Sequence, residues 1–121
     1  MKPADTGRDA ESAACRFLLS QGFRLLTRNF RSRHGEIDLI MDDAGQLVFV
    51  EVRYRRGTAF GTGAESVDRR KQSRITACAQ HYLQQHPEAA QLPCRFDVVA
   101  LTGTRENSDI QWIRDAFTAL G

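Results

Sequence analysis

Glu36, Asp38, Glu51 and Arg53 interrupt two otherwise apolar runs in the stretch HGEIDLIMDDAGQLVFVEVR, residues 34 to 53. Asp43, Ala44 and Gly45 lie between the runs and supply turn chemistry, so the stretch reads as a β-hairpin with charges built into it. Placing Met41 opposite Val48 across a four-residue loop puts Ile37, Leu39, Met41, Val48, Val50 and Val52 on one apolar face. On the other face Ile40 then meets Phe49, Asp38 meets Glu51 and Glu36 meets Arg53. Opposed residues hold their Cβ atoms only about 4.5 to 5.5 Å apart, so Asp38 and Glu51 repel unless positive charge sits between them. A divalent cation meets that need, because Mg²⁺ takes oxygen ligands, usually one or two carboxylates with water and phosphate. The competing arrangement is an exposed sheet end where Glu36 pairs with Arg53 and the two acids find arginine partners.

These charges need a frame. Thr6 followed by Asp9 resembles a helix N-cap with an acid three places on, and Ala10, Ala13, Ala14, Phe17 and Leu18 recur at helical spacing up to Gly22. Residues 23 to 30 read as a first strand, and the hairpin supplies two more. Residues 55 to 65, RRGTAFGTGAE, carry Gly and Thr without periodicity and read as a mobile surface loop with no GKS or GKT, hence no P-loop. From Ser66 to Gln85 the pattern is helical, with Val67, Ile75, Cys78, Ala79 and Tyr82 on one stripe, Lys71 on the same stripe, and Pro87 marking the end. Residues 96 to 101 and 110 to 113 follow as short strands, the latter before a short AFTAL segment. Helix, three strands, long helix, then one or two strands predicts an α/β fold with a mixed central sheet flanked by helices, the strand after the long helix running parallel to its neighbour.

The 121 residues suit one domain, expected to span 1–121 with residues 1–6 flexible, and a hydrophobic content of 41% with 26% charged residues is globular composition. The polar start and the lack of any stretch near membrane-span length predict a cytoplasmic protein. Cys15, Cys78 and Cys94 are odd in number and far apart, so reduced packing cysteines are expected rather than disulfides or a zinc site. The net charge of +2 says little, but its distribution says more. Arginines cluster before the hairpin, after it and at the start of the long helix; if they converge, Arg31, Arg33, Arg55, Arg56, Arg70 and Arg74 form a basic groove, and otherwise each cluster is a solvated face. His81 and His86 are five apart, which does not align them as a metal pair on a helix. His34 reads as a surface turn residue and Asp97 as structural.

GEIDLI, a short turn, LVFVEVR, then FG, a helix carrying Lys71 and finally RFDVVAL resemble the YraN family of bacterial nuclease-like proteins. Asn29 to Arg31 before GEID and the terminal Ala116 and Phe117 match as well, so the resemblance covers about residues 7 to 117. The family is similar to Holliday junction resolvases and implies a restriction-endonuclease-like three-layer fold, in which an acid on one strand precedes an ExK on the next. Carried over, the resemblance implies Asp38 and Glu51 as metal ligands and Glu11 as the first-helix acid. On its own Glu11 reads as a solvated helical residue bordering the apolar stripe. Arg53 stands where the pattern has lysine; it remains protonated and cannot act as a base, though it can stabilise negative charge. Any need for an interior amine then falls on Lys71, since Lys2 is the only other lysine, against the plain reading of a helix-start lysine whose stem covers apolar surface.

The expected function is therefore a Mg²⁺- or Mn²⁺-dependent endonuclease, a hydrolase acting on DNA, branched or otherwise non-duplex, with Asp38, Glu51, Arg53, Lys71 and Glu11 at its centre. The alternative is a non-catalytic nucleic-acid-binding module that keeps the fold with a degenerate site. A third reading, a protein-interaction scaffold, predicts no salt-sensitive nucleic-acid binding. A homodimer is implied by the resemblance.

Overall fold

A computed structural model of the chain describes residues 6–56, 67–103 and 108–118. The chain forms α1 (Thr6–Ser20), β1 (Arg24–Ser32), β2 (Gly35–Asp43), β3 (Gln46–Arg56), α2 (Arg69–Gln85), a 3₁₀ turn (Ala89–Gln91), β4 (Cys94–Gly103) and β5 (Ser108–Phe117). The sheet order follows the chain, β1-β2-β3-β4-β5. Every pairing is antiparallel except β3 with β4, which run parallel because the α2 crossover joins them. The predicted mixed sheet and parallel entry are both present.

Two separate cores make this a three-layer fold. Ala10, Ala14, Cys15 and Leu18 of α1 pack on Leu39, Met41, Val48, Val50 and Val99. Ile75, Cys78, Ala79 and Tyr82 of α2 pack on Ile40, Leu47, Phe49, Phe96 and Val98 from the other side. Both faces of β3 are thus covered, which is why LVFV reads as a continuous apolar run. The fold is restriction-endonuclease-like, with a helix layer on each side of the sheet.

The hairpin register is the expected one, with Met41 paired to Val48 and Ile40 to Phe49. The loop is shorter than expected: Asp43 pairs with Gln46, so only Ala44 and Gly45 form the turn. Both have positive φ, 52° and 92°, as a type I′ turn requires. Gly45 takes that conformation without strain, and its N–H donates to Asp42 Oδ1 at 2.9 Å. Ala44 does not favour it, so Ala44→Asn should raise stability by about 0.5 to 1 kcal/mol in urea unfolding, and an unchanged midpoint would contradict this reading of the turn.

α2 begins three residues later than expected. Asp68 is its N-cap, in extended conformation, and its carboxylate accepts the N–H of Lys71 at 2.8 Å. The three cysteines are free; Cys15 and Cys78 are buried packing residues as expected, whereas Cys94 is exposed. Residues 1–5, 57–66 and 119–121 lie outside the described residues, and with them the expectations of a flexible start, most of the mobile loop and the end of the AFTAL segment. Among the described residues, no helix is long and apolar enough to cross a membrane.

Candidate active site

The acids meet where the sheet stops being regular. Asn29 has φ 53°, a left-handed conformation that asparagine tolerates better than most residues. It lies between the pairs Arg28↔Leu39 and Phe30↔Ile37, opposite Asp38. Alongside this kink, alternation on β2 is broken: Ile37 joins Ile40 and Phe30 beneath α2 instead of sharing a face with Leu39 and Met41. The expectation that Ile37 shares the apolar face of Leu39, Met41, Val48 and Val50 is corrected accordingly. Both faces are core, and the charges gather where β2 leaves β3.

The paired ladder of β2 and β3 ends at Leu39↔Val50. Beyond it the N–H of Val52 donates to Asp38 Oδ2 at 2.8 Å, so the side chain replaces a ladder acceptor. Asp38 thereby lies beside Glu51 and also senses Glu11 from α1. Asn29→Val should cost about 1 to 2 kcal/mol, because a β-branched residue resists left-handed φ, whereas Asn29→Gly should be tolerated. Equal melting temperatures for the two variants would rule out the kink as the cause.

An open cavity of about 520 Å³ lies over this point, lined by Glu11, Glu36, Asp38, Glu51, Arg53 and Lys71 together with Arg74 and Tyr54. Carboxylate oxygens of Glu11, Glu36 and Asp38 all lie within 4.8 Å of one another. Glu51 is only 5% exposed, and its Oε2 is held by Lys71 Nζ at 2.7 Å and by an Arg53 guanidinium nitrogen at 3.4 Å. Burial, with the adjoining Glu51 and then Glu11 adding repulsion, pushes Asp38 up to about 8, against the partial relief of the Val52 N–H. The donors are all hard oxygens, so this set fits Mg²⁺ or Mn²⁺ and does not fit a soft metal.

Five residues singled out from the sequence, Asp38, Glu51, Arg53, Lys71 and Glu11, line one cavity. Arg74 lines it as well, whereas Arg33 and Arg70 are exposed outside it. Arg31 donates from Nε to Glu36 Oε2 at 2.7 Å, so Glu36 pairs across to β1 and not with Arg53 as the exposed-end arrangement had it. The side chains of Arg55 and Arg56 lie outside the described residues. Glu36 is the acid not anticipated among the metal-site residues; its place two residues before Asp38 on the same strand was the available signal.

Asp97 is fully buried and its carboxylate is saturated. It accepts from Arg95 at 2.9 and 3.2 Å, from Trp112 Nε1 at 3.0 Å and from the N–H of Asp115 at 2.9 Å. It belongs to the frame. The histidines stay apart from the cavity: His81 Nε2 contacts Gln85 and His86 stacks on Tyr82.

Residues 10–101 match the uncharacterised protein family UPF0102. The chain belongs to that family. It is 52% identical over 120 residues to a UPF0102 protein of Nitrosococcus oceani, spanning 97% of each chain. It is 53% identical over 112 residues to one from Stutzerimonas stutzeri, spanning 93% of each. A third, from Saccharophagus degradans, is 50% identical over 117 residues, covering 97% of this chain and 96% of that one. UPF0102 is the YraN family, so the resemblance read from GEIDLI, LVFVEVR and RFDVVAL holds over the domain. The family match includes Glu11, Asp38, Glu51 and Lys71 within its bounds.

Proposed function

We propose that this UPF0102 protein is a cytoplasmic, metal-dependent endonuclease that hydrolyses DNA phosphodiester bonds, with branched or non-duplex DNA as its substrate class. One observation carries the reading: Asp38, Glu51, Glu11 and Lys71, from both helix layers and two strands, meet in one open cavity. Glu11, Glu36 and Asp38, with the Asp38-facing side of Glu51, would hold Mg²⁺ or Mn²⁺. When bound, such an ion polarises a phosphoryl oxygen and lowers the pKa of its water towards neutrality.

The chain's own residues supply the rest. Lys71 and Arg53 lie on Glu51 and present positive charge where the attacked phosphate gathers negative charge. Arg53 cannot take a proton from water, so its part is electrostatic. Lys71, coming from α2, brings an amine to the acid that opens the EVR triplet, and this supports chemistry despite the arginine at position 53. Arg74 at the cavity wall and the exposed Arg33 and Arg70 position the DNA backbone. Phosphate contacts carry no base information, so selectivity by DNA shape follows. Cutting two strands of a junction calls for two such sites, hence a symmetric homodimer.

Arg53 in the lysine position favours a second reading, a nucleic-acid-binding module without chemistry. Purified protein should be incubated with four-way-junction, flap, single-stranded and linear duplex DNA under Mg²⁺, Mn²⁺ or EDTA, beside Asp38→Asn. Metal-dependent cutting lost in the variant supports the nuclease. Salt-sensitive binding to branched DNA with no cutting under any metal would instead establish the binding module.

A further inference from the structure

We infer that this site takes one divalent cation, with the Lys71 ammonium standing where a two-metal site would hold its second ion. The inference rests on the nuclease reading above and narrows it. Two-metal phosphodiester sites hold their ions about 3.5 to 4 Å apart, which requires carboxylate oxygens available to both. Glu51 cannot serve both. Its Oε2 already receives Lys71 Nζ at 2.7 Å and Arg53 at 3.4 Å, and at 5% exposure its carboxylate has little room to turn away.

Lys71 is placed firmly. Its backbone N–H is fixed by the Asp68 cap at 2.8 Å, so a rigid helix start carries the ammonium to Glu51. On the other side of Asp38, Glu11 and Glu36 approach within 4.8 Å, forming the single gathering of acids among the described residues.

Charge balance agrees with the geometry. The cavity holds four carboxylates, and three cationic side chains are paired with two of them: Lys71 and Arg53 with Glu51, and Arg31 with Glu36. Arg74 on the cavity wall is a fourth cation, so one divalent cation and one phosphodiester leave this set with a single positive charge. A second divalent cation would leave a half-buried site with three positive charges in excess, a costly arrangement at low dielectric.

Stoichiometry tests this without reference to cleavage. Mn²⁺ is titrated into the full chain at neutral pH and the free ion followed by electron paramagnetic resonance, with Lys71→Ala, Lys71→Arg and Asp38→Asn in parallel and circular dichroism verifying the fold of each. One Mn²⁺ per chain is expected for the wild type and for Lys71→Arg, and two for Lys71→Ala, in which Glu51 Oε2 keeps only the longer 3.4 Å contact to Arg53. Two ions in the wild type, or one in folded Lys71→Ala, overturn the inference and leave the nuclease reading standing. No Mn²⁺ bound by the wild type, or binding indifferent to Asp38→Asn, overturns the nuclease reading and the inference with it. Two ions bound by the wild type overturn the inference even where a variant does not fold.

Discussion

Asp38→Asn should lower metal-dependent DNA cleavage roughly 10²- to 10³-fold, the scale of losing a central electrostatic contact in an active site, while making the metal-free protein more stable. The two effects have one cause. Asp38 is pushed up to about 8 by burial and by Glu51 and Glu11, from an ordinary value of 3.8. The folded protein therefore binds a proton more tightly than the unfolded chain, and the stability this confers is complete below about pH 4 and is lost as pH rises through about 8. Asparagine carries no such proton and still accepts the Val52 N–H, so it escapes the loss.

Between pH 5 and pH 8 the melting temperature of the metal-free wild type should fall relative to Asp38→Asn, the gap reaching on the order of 2 kcal/mol. Mg²⁺ or Mn²⁺ should narrow the gap, because the ion supplies the positive charge that the proton otherwise provides. Parallel melting curves over this range would show that Asp38 is not under electrostatic stress, and undiminished cleavage would remove it from the site.

The largest loss of stability is expected away from the cavity lining, at Asp97 of β4. Its carboxylate ties Arg95 of its own strand to Trp112 and Asp115 of β5, and Arg95 in turn reaches Asp43 and Gln46 at the hairpin end. Asp97→Ala leaves the buried Arg95 without its main counter-charge and strips the acceptor from the indole and the Asp115 N–H. A cost of about 3 to 5 kcal/mol follows, read by urea unfolding. Asp97→Asn retains oxygen acceptance and should lose less, keeping the protein measurable if the alanine variant does not fold. Mn²⁺ binding by folded Asp97→Asn should match the wild type, since this network does not touch the cavity. A loss below about 1 kcal/mol for Asp97→Ala would mean that β5 is anchored by its apolar contacts alone.

Much of this was legible from residue order alone. Apolar periodicity marked both helices, the hairpin and the strand after Pro87, because the 3.6 and 2.0 repeats arise from backbone geometry that any sequence must obey. GEIDLI with LVFVEVR named the family, and the opposed parity of Asp38 and Glu51 pointed to their meeting. Tertiary structure alone decided the rest. Ile37 lies in the other core from Leu39, a local break in alternation, opposite the left-handed Asn29, that hydrophobic pattern does not encode. Whether Glu11 and Lys71 reached the hairpin acids depended on how two helices, separated by 48 residues of chain, dock on opposite faces of one sheet. Glu36 joined the cluster for the same reason: side-chain convergence across layers is set by packing, and sequence spacing reports only neighbours on one element.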